Sequence, residues 1–281
     1  MISYIHCHIG QLPPDYLIDS FRTIDRVDPE SRIIFVTDQD VEIEGVEIVQ
    51  VNDITSKETL DVMDMNLFAD DPNQLWRTSI FRVFLVRDAM VHLNLDVCYH
   101  FDSDVLMFQS SDQFEHLIND FDGLYITYHN NLEVVFGFSR FGSIEKANKI
   151  CHILRDVVFN PSLQIEYSSS SISNEDYYKK NEMRLICGIM DRNPDLIRRL
   201  NIFPNETNIV FDPSSYGQFF GGTNNGHPPG FAHHTHDIGR GIQSGELVPV
   251  MIDKKPYVKY NGKEYPIVNL HIHSKVTAPF L

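Results

Sequence analysis

Val97-Cys-Tyr-His-Phe-Asp-Ser-Asp-Val-Leu-Met-Phe108 is the stretch on which the fold turns. Its first part, Val97 to Phe101, is a short apolar run suited to a strand buried at the centre of a sheet. The run stops at Asp102 and Asp104, and Val105 to Phe108 is apolar again. Open α/β sheets bind ligands in the crevice at the carboxyl ends of their strands, and two carboxylates at i and i+2 on a strand exit project there. Asp and Ser are also ordinary turn formers, so the same pattern has a plainer reading as a turn. The apolar residues on both sides favour the site.

Working outward, Asn73 to Asn94 places Trp76, Ile80, Val83, Phe84, Met90 and Val91 at helical spacing and leaves Arg77, Arg82 and Arg87 on other faces. Further upstream, strands are expected at Ile2 to His6, Arg32 to Asp38 and Val46 to Val51, with a helix over Pro14 to Ile24. Strands alternating with helices indicate βαβ units and a mainly parallel sheet flanked by helices. Downstream, strands are expected at Gly123 to Tyr128, Val134 to Ser139 and Asn208 to Asp212. Helices are expected over Ile144 to Val158 and from Pro213, and Ser168 to Ser173 reads as a polar loop. Gly221 to Gly245 is rich in glycine and holds His227, His233, His234 and His236, too irregular for a regular element and of the kind that forms a binding loop or lid.

Composition narrows the function. The chain has 281 residues, 42% of them hydrophobic, enough for one domain with a full core. Residues 1 to about 108 form the expected ligand-binding half and about 109 to 281 an extension. With 39 acidic against 23 basic residues the formal charge is -16, which repels a nucleic-acid backbone. An anionic small substrate would need local neutralisation, most simply by a cation. Cys7, Cys98, Cys151 and Cys187 form no C-x-x-C pair, which fits a reducing compartment. The sequence contains neither a signal-peptide pattern nor a run of about 18 apolar residues, so a cytoplasmic protein with no membrane span is expected. The Asn205-Glu-Thr207 sequon carries no weight in that setting.

Several further residues carry chemistry. In Val268-Asn-Leu-His-Ile-His-Ser-Lys275 a strand period puts His271 and His273 on one face, with Lys275 near them. Imidazole can complete an oxygen and nitrogen shell around Mn²⁺, and an ammonium can hold a phosphate as a point charge. A polar terminal strand is the simpler alternative. Asp212, before a helix and the glycines at 217, 221 and 222, is a candidate general base or an N-cap. Asp176, Glu182 and Asp237 are rival bases.

Trp76-Arg-Thr-Ser-Ile-Phe-Arg82, Phe101-Asp-Ser-Asp-Val105, Phe211-Asp-Pro-Ser-Ser-Tyr-Gly-Gln-Phe-Phe-Gly-Gly222 and Asn269-Leu-His-Ile-His-Ser-Lys275 together resemble the ordered landmarks of GT-A glycosyltransferases, and among these a group of bacterial and viral sugar transferases. The resemblance implies a Rossmann-like domain that binds a nucleotide-sugar donor, with a UDP-sugar such as UDP-hexose or UDP-xylose favoured, and a glycan acceptor. It implies Mn²⁺ or Mg²⁺ as cofactor. By position, Asp102 would meet ribose or metal and Asp104 the metal. Arg77 or Arg82 would meet the donor, His271 or His273 the metal, and Lys275 the diphosphate. Asp38 would accept a hydrogen bond from the base, beneath which His6-Cys-His8 would lie. His233, His234 and His236 would form an acceptor-side loop. The C-terminal H-x-x-G-x-x-K pattern of such enzymes is absent.

Two other functions compete. His6-Cys-His8 after the first strand resembles the metal pair of amidohydrolases, a fold that demands eight βα units not found in this sequence. A non-catalytic carbohydrate-binding protein would not need clustered carboxylates and imidazoles.

Overall fold

The structure, a computed structural model, describes residues 2–65, 75–167, 181–204 and 207–281. The expected helix start at Asn73, the Trp76 side chain, the Ser168 to Ser173 loop, Asp176, and Asn205 and Glu206 of the sequon lie outside what it describes.

Apolar alternation along β1 (Ser3–Cys7) sends Tyr4 to one face of the sheet and Ile5 to the other. The same alternation in β2 (Arg32–Thr37) separates Ile33 and Phe35 from Ile34 and Val36, so both faces must be covered. On one face lies α1 (Asp15–Val27), which follows β1 and buries Leu17, Phe21 and Ile24. After β3 (Val46–Gln50), the short α2 (Val51–Ile54) and α3 (Lys57–Met63) lead towards α4 (Leu75–Leu93) on the other face. Val83, Phe84, Val86, Ala89 and Met90 of α4 are all buried, as its length of apolar residues requires.

β4 (Cys98–Phe101) then pairs in parallel with β1, on the side opposite β2. The parallel order β3-β2-β1-β4 therefore has its switch point between β1 and β4, where a crevice opens at the strand ends. β5 (Val105–Met107) leaves the main sheet, and β6 (Leu124–Asn130) with β7 (Glu133–Phe141) forms a hairpin whose second strand lies antiparallel to β4. The chain continues through α5 (Ile144–Phe159), α6 (Pro161–Tyr167) and α7 (Glu182–Arg192) to β8 (Ile197–Arg199), parallel to β6. The result is a seven-stranded sheet, β3-β2-β1-β4-β7-β6-β8, mostly parallel and flanked by helices.

The C-terminal part adds α8 (Ser215–Gly221), α9 (Asp237–Gln243) and an antiparallel sheet of β9 (Val248–Ile252), β10 (Lys255–Tyr260) and β11 (Lys263–Pro266). β12 (Asn269–His271) pairs with β5. Here four expectations change. Asn208 to Asp212 is no strand; Val210 makes one isolated bridge to Ile267. The helix expected from Pro213 starts at Ser215, because Ser214 has φ 78 and breaks the helical path. The segment Gly221 to Gly245 contains α9, whose Ile238 joins a small apolar cluster with Leu247 and Tyr216. The terminal strand stops at His271, since the Lys275 N–H returns to the Ile272 carbonyl in a turn. Among the described residues no helix is long and apolar enough to cross a membrane.

His6 is fully buried against Phe21 and Phe101, and neither ring nitrogen has a partner among the described residues. Burial lowers its pKa from 6.5 to about 3. The folded state thus keeps it neutral while the unfolded chain takes a proton below pH 6.5, so its contribution to stability is lost as pH falls from 6.5 towards 3. At pH 5 this amounts to about 2 kcal/mol. His6→Phe should therefore gain on the wild type between pH 8 and pH 5 in thermal unfolding; a constant gap would count against this account.

Candidate functional site

The centre of the site is the turn after β4. The Asp102 N–H donates to the Gly137 carbonyl of β7 at 3.0 Å, and Val105 N–H returns to the Asp102 carbonyl at 3.1 Å, which fixes both carboxylates at the strand exit. Antiparallel pairing of β5 with β12 sets Val105 opposite His271, and Ile272 N–H donates to the Asp104 carbonyl at 2.8 Å. That pairing delivers His271 Nε2 to within 3.0 Å of Asp104 Oδ1 and 3.7 Å of Asp102 Oδ2. Lys275, turned back by φ 62, brings Nζ to 3.0 Å from Asp104 Oδ2, and Arg82 of α4 ion-pairs with Asp102.

Asp102, Asp104 and His271 offer ligand atoms that all lie within 4.8 Å of one another, a candidate metal-binding group. Two carboxylate oxygens and one imidazole nitrogen suit a hard to borderline divalent cation. The same groups are coupled electrostatically. Burial alone would raise the Asp104 carboxyl, but His271 and then Lys275 and His273 hold it far below the usual carboxylate range. Burial alone would lower His271, and Asp104 and then Asp102 and Asp212 raise it. A proton on His271 and the Lys275 ammonium supply positive charge beside Asp104.

Packing leaves His271 little freedom. A Cβ on Gly137 would lie 2.6 Å from His271 Nδ1, and one on Gly217 would lie 2.1 Å from the His271 carbonyl oxygen. Asp212 anchors the same residue. Its carboxylate accepts from Tyr216 N–H at 2.9 Å, Gly217 N–H at 2.8 Å and His271 N–H at 2.9 Å. Asp212 is only 1% exposed.

The candidate metal-binding group faces a cavity of about 840 Å³ at the ends of β1, β2 and β4. Asp38, Arg77, Arg82, Asp102, Asp104, His271, His273 and Lys275, all singled out in the sequence, line it together. Asp38 accepts from Gly10 N–H at 2.9 Å, which ties the exit of β2 to that of β1. Arg77 donates to the Met63 carbonyl at 2.8 Å. His273 lies with its ring 4.4 Å from that of His271 but outside the metal-binding group. Asp212, His233, His234 and His236 are not among the described residues that line the cavity. Asp237 is paired with Arg240.

Glu182, named in the sequence only as a rival base, does line it. It opens α7 behind the cap Asn181, is 4% exposed, and its Oε2 has no partner among the described residues. Burial, opposed by Arg82, pushes its carboxyl up to about 7. Sequence reading missed His129 and Ser214, which also line the cavity, and Gly137, whose role exists only across the sheet. The hydrolase alternative fails on His6, which is buried in the core away from any metal-binding group among the described residues, and on the open seven-stranded sheet.

No protein-family model and no curated protein matches the sequence. Among solved structures, the chain is similar to mouse xyloside xylosyltransferase 1 in its apo form, at 14% identity and TM-score 0.47, over 71% of this chain and 85% of that one. It is also similar to the galactosyltransferase LgtC in complex with donor and acceptor sugar analogs, at 12% identity and TM-score 0.44, over 76% and 77%. A third similarity is to the apo glycosyltransferase GlyE of Streptococcus pneumoniae TIGR4, at 11% identity and TM-score 0.44, over 71% of this chain and 45% of that one.

Because Gly137 makes room for the His271 ring, Gly137→Ala should weaken binding of a divalent cation at the candidate group, probed with Mn²⁺, about tenfold, the scale on which supporting residues tune a metal ligand. Calorimetric titration with Mn²⁺ reads this, and unchanged affinity would show that the ring position does not matter. In the wild type, Mn²⁺ affinity should rise with pH until the raised His271 pKa is passed, because the bound proton competes with the cation.

Proposed function

We propose that the protein is a divalent-metal-dependent glycosyltransferase that takes a sugar from a nucleotide-sugar donor, a UDP-sugar in the first instance, to a hydroxyl of a glycan acceptor. The observation that carries this reading is the convergence of Asp102, Asp104, His271 and Lys275 in one cavity at the switch point of a mostly parallel sheet. An acidic chain that binds a diphosphate needs positive charge there. Mn²⁺ or Mg²⁺ held by the two carboxylates and the imidazole would supply charge neutralisation for the departing diphosphate.

The chain's own residues do the remainder. Lys275 is the only lysine among the described lining residues, and its ammonium holds the diphosphate oxygens as a point charge. Arg82 orients Asp102, and Arg77 adds a second guanidinium to the donor side. Asp38, at the exit of β2, accepts a hydrogen bond from the base. Cys7 and His8 at the exit of β1 form the floor of that pocket.

The proton from the attacking hydroxyl needs a base with a free oxygen near neutral pH. Asp212, expected from the sequence to fill that role, has its carboxylate committed to three backbone N–H groups, so in this reading it is a positioning residue for His271 and α8. Glu182 lines the cavity with Oε2 unpartnered among the described residues, and burial pushes its carboxyl up to about 7, so in this reading it takes the proton.

Calorimetry with UDP and Mn²⁺ tests the function: each should tighten binding of the other, and Asp104→Ala should abolish that dependence. Independent binding would overturn the reading. Glu182→Gln should lower kcat at least a hundredfold while UDP affinity changes little, and should remove the rise in activity as pH passes about 7. A normal kcat would move the role to another residue.

A further inference from the structure

Two stripes of α1 are buried. Leu17, Phe21 and Ile24, at i, i+4 and i+7, enter the apolar cluster on one face of the sheet. Tyr16, Asp19, Ser20 and Thr23 fall at i, i+3, i+4 and i+7, so they share a second face of the same helix. Three of them are polar, yet Asp19 is 8% exposed, Ser20 0% and Thr23 1%. A buried stripe of this spacing ordinarily carries apolar residues, and a carboxyl and two hydroxyls placed there destabilise the fold unless each is bonded.

Each of the three bonds to a segment that carries the site. Ser20 Oγ donates to the Val105 carbonyl at 2.6 Å, and Met107 N–H donates to Thr23 Oγ1 at 3.0 Å, so α1 grips β5 directly after Asp104. Thr277 Oγ1 donates to Asp19 Oδ2 at 2.6 Å, and Arg22 pairs with Oδ1 of the same carboxylate. The fourth residue, Tyr16, packs against the apolar cluster of α1 and lines the cavity, and its ring centroid lies 4.6 Å from Lys275 Nζ. One helix face therefore holds both the turn of Asp104 and the turn of Lys275.

Lys275 needs such a frame. Its φ of 62 is a conformation that non-glycine residues keep only where the surroundings impose it, and its ammonium rides on a flexible stem. Asp104 Oδ2 meets that ammonium at 3.0 Å and the Tyr16 ring offers it a π face, while the side chain stays 41% exposed. The charge is thus aimed and still open to a ligand. A stripe that merely fastened the helix would use Asp19, Ser20 and Thr23 but would have no need of an aromatic ring against the Lys275 ammonium.

Resting on the reading of the cavity as the site of a donor diphosphate, we infer that this face of α1 is a positioning device for that diphosphate. Tyr16 aims the Lys275 ammonium, and Asp19, through Thr277, fixes the turn that presents it. Neither Tyr16 nor Thr277 supplies charge to the ligand; both act through Lys275.

Calorimetric titration of the full chain in Mn²⁺ with UDP and with UMP, which lacks the second phosphate, tests this. Tyr16→Leu and Thr277→Val should each weaken UDP binding about fivefold, the scale of one cation–π contact, and leave UMP binding within about twofold of the wild type. Tyr16→Phe keeps the π face and should bind UDP within about twofold of the wild type. In a Lys275→Met background Tyr16→Leu should cost less than about twofold more, because the two residues act as one unit. Equal losses for UDP and UMP, Tyr16→Phe as weak as Tyr16→Leu, or losses that add in the Lys275→Met background would each overturn the inference. A wild type that binds UDP no more tightly than UMP, or binds it without dependence on Mn²⁺, would instead sink the donor reading. Should Thr277→Val fail to fold, the Tyr16 variants and the wild-type proton spectrum decide: the ring current of Tyr16 should move the Lys275 ε-methylene signal upfield, and a signal at the ordinary lysine position would overturn the clamp.

Discussion

Two neighbouring carboxylates, Asp104 buried and Asp102 half-buried, set the terms for everything around them. In a medium of reduced dielectric like charges at this separation repel strongly, and each also loses its hydration. Positive charge must therefore be brought to them. Arg82 meets Asp102 from the long helix α4, and His271 and Lys275 meet Asp104 from the far end of the chain. The β5 and β12 pairing is what makes the second delivery possible, and Asp212 reinforces it by holding the His271 N–H and the start of α8 at once.

The fold divides this work between its two parts. The parallel strands β2, β1 and β4 end at one crevice and place Asp38, Asp102 and Asp104 there, because parallel strands all present the same end to that side. β6, β7 and α8 contribute the lining that carries His129, Ser214 and Phe136. Glycines decide how closely these parts approach. Gly137 and Gly217 leave space for His271 where any side chain would collide, so two of the residues that shape the site have no chemistry of their own.

Much of the molecule was legible in the chain itself. Helical spacing located α4 and α5, and apolar alternation located β1, β2, β6 and β7. The apolar run ending in two aspartates located the site. The short elements near the C-terminus were read less well. Asn208 to Asp212 has strand-like residues but makes a single bridge, and α9 was hidden in a glycine-rich segment because a helix of that length draws its stability from packing by Ile238.

What the sequence determined by itself was local: which stretches favour helix or strand, where a buried strand ends, and which side chains could bind a cation or a phosphate. Those are properties of residues close together in the chain. The tertiary structure alone decided that His271 joins the candidate metal-binding group while His273 stands beside it, that Glu182 lines the cavity with a buried, unpartnered oxygen while Asp212 spends both of its oxygens on backbone donors, and that His129 continues a row of imidazoles from a distant loop. Each of those outcomes depends on pairing between segments many residues apart, and on burial, which sets both the partner and the protonation state. Neither is encoded in spacing along the chain.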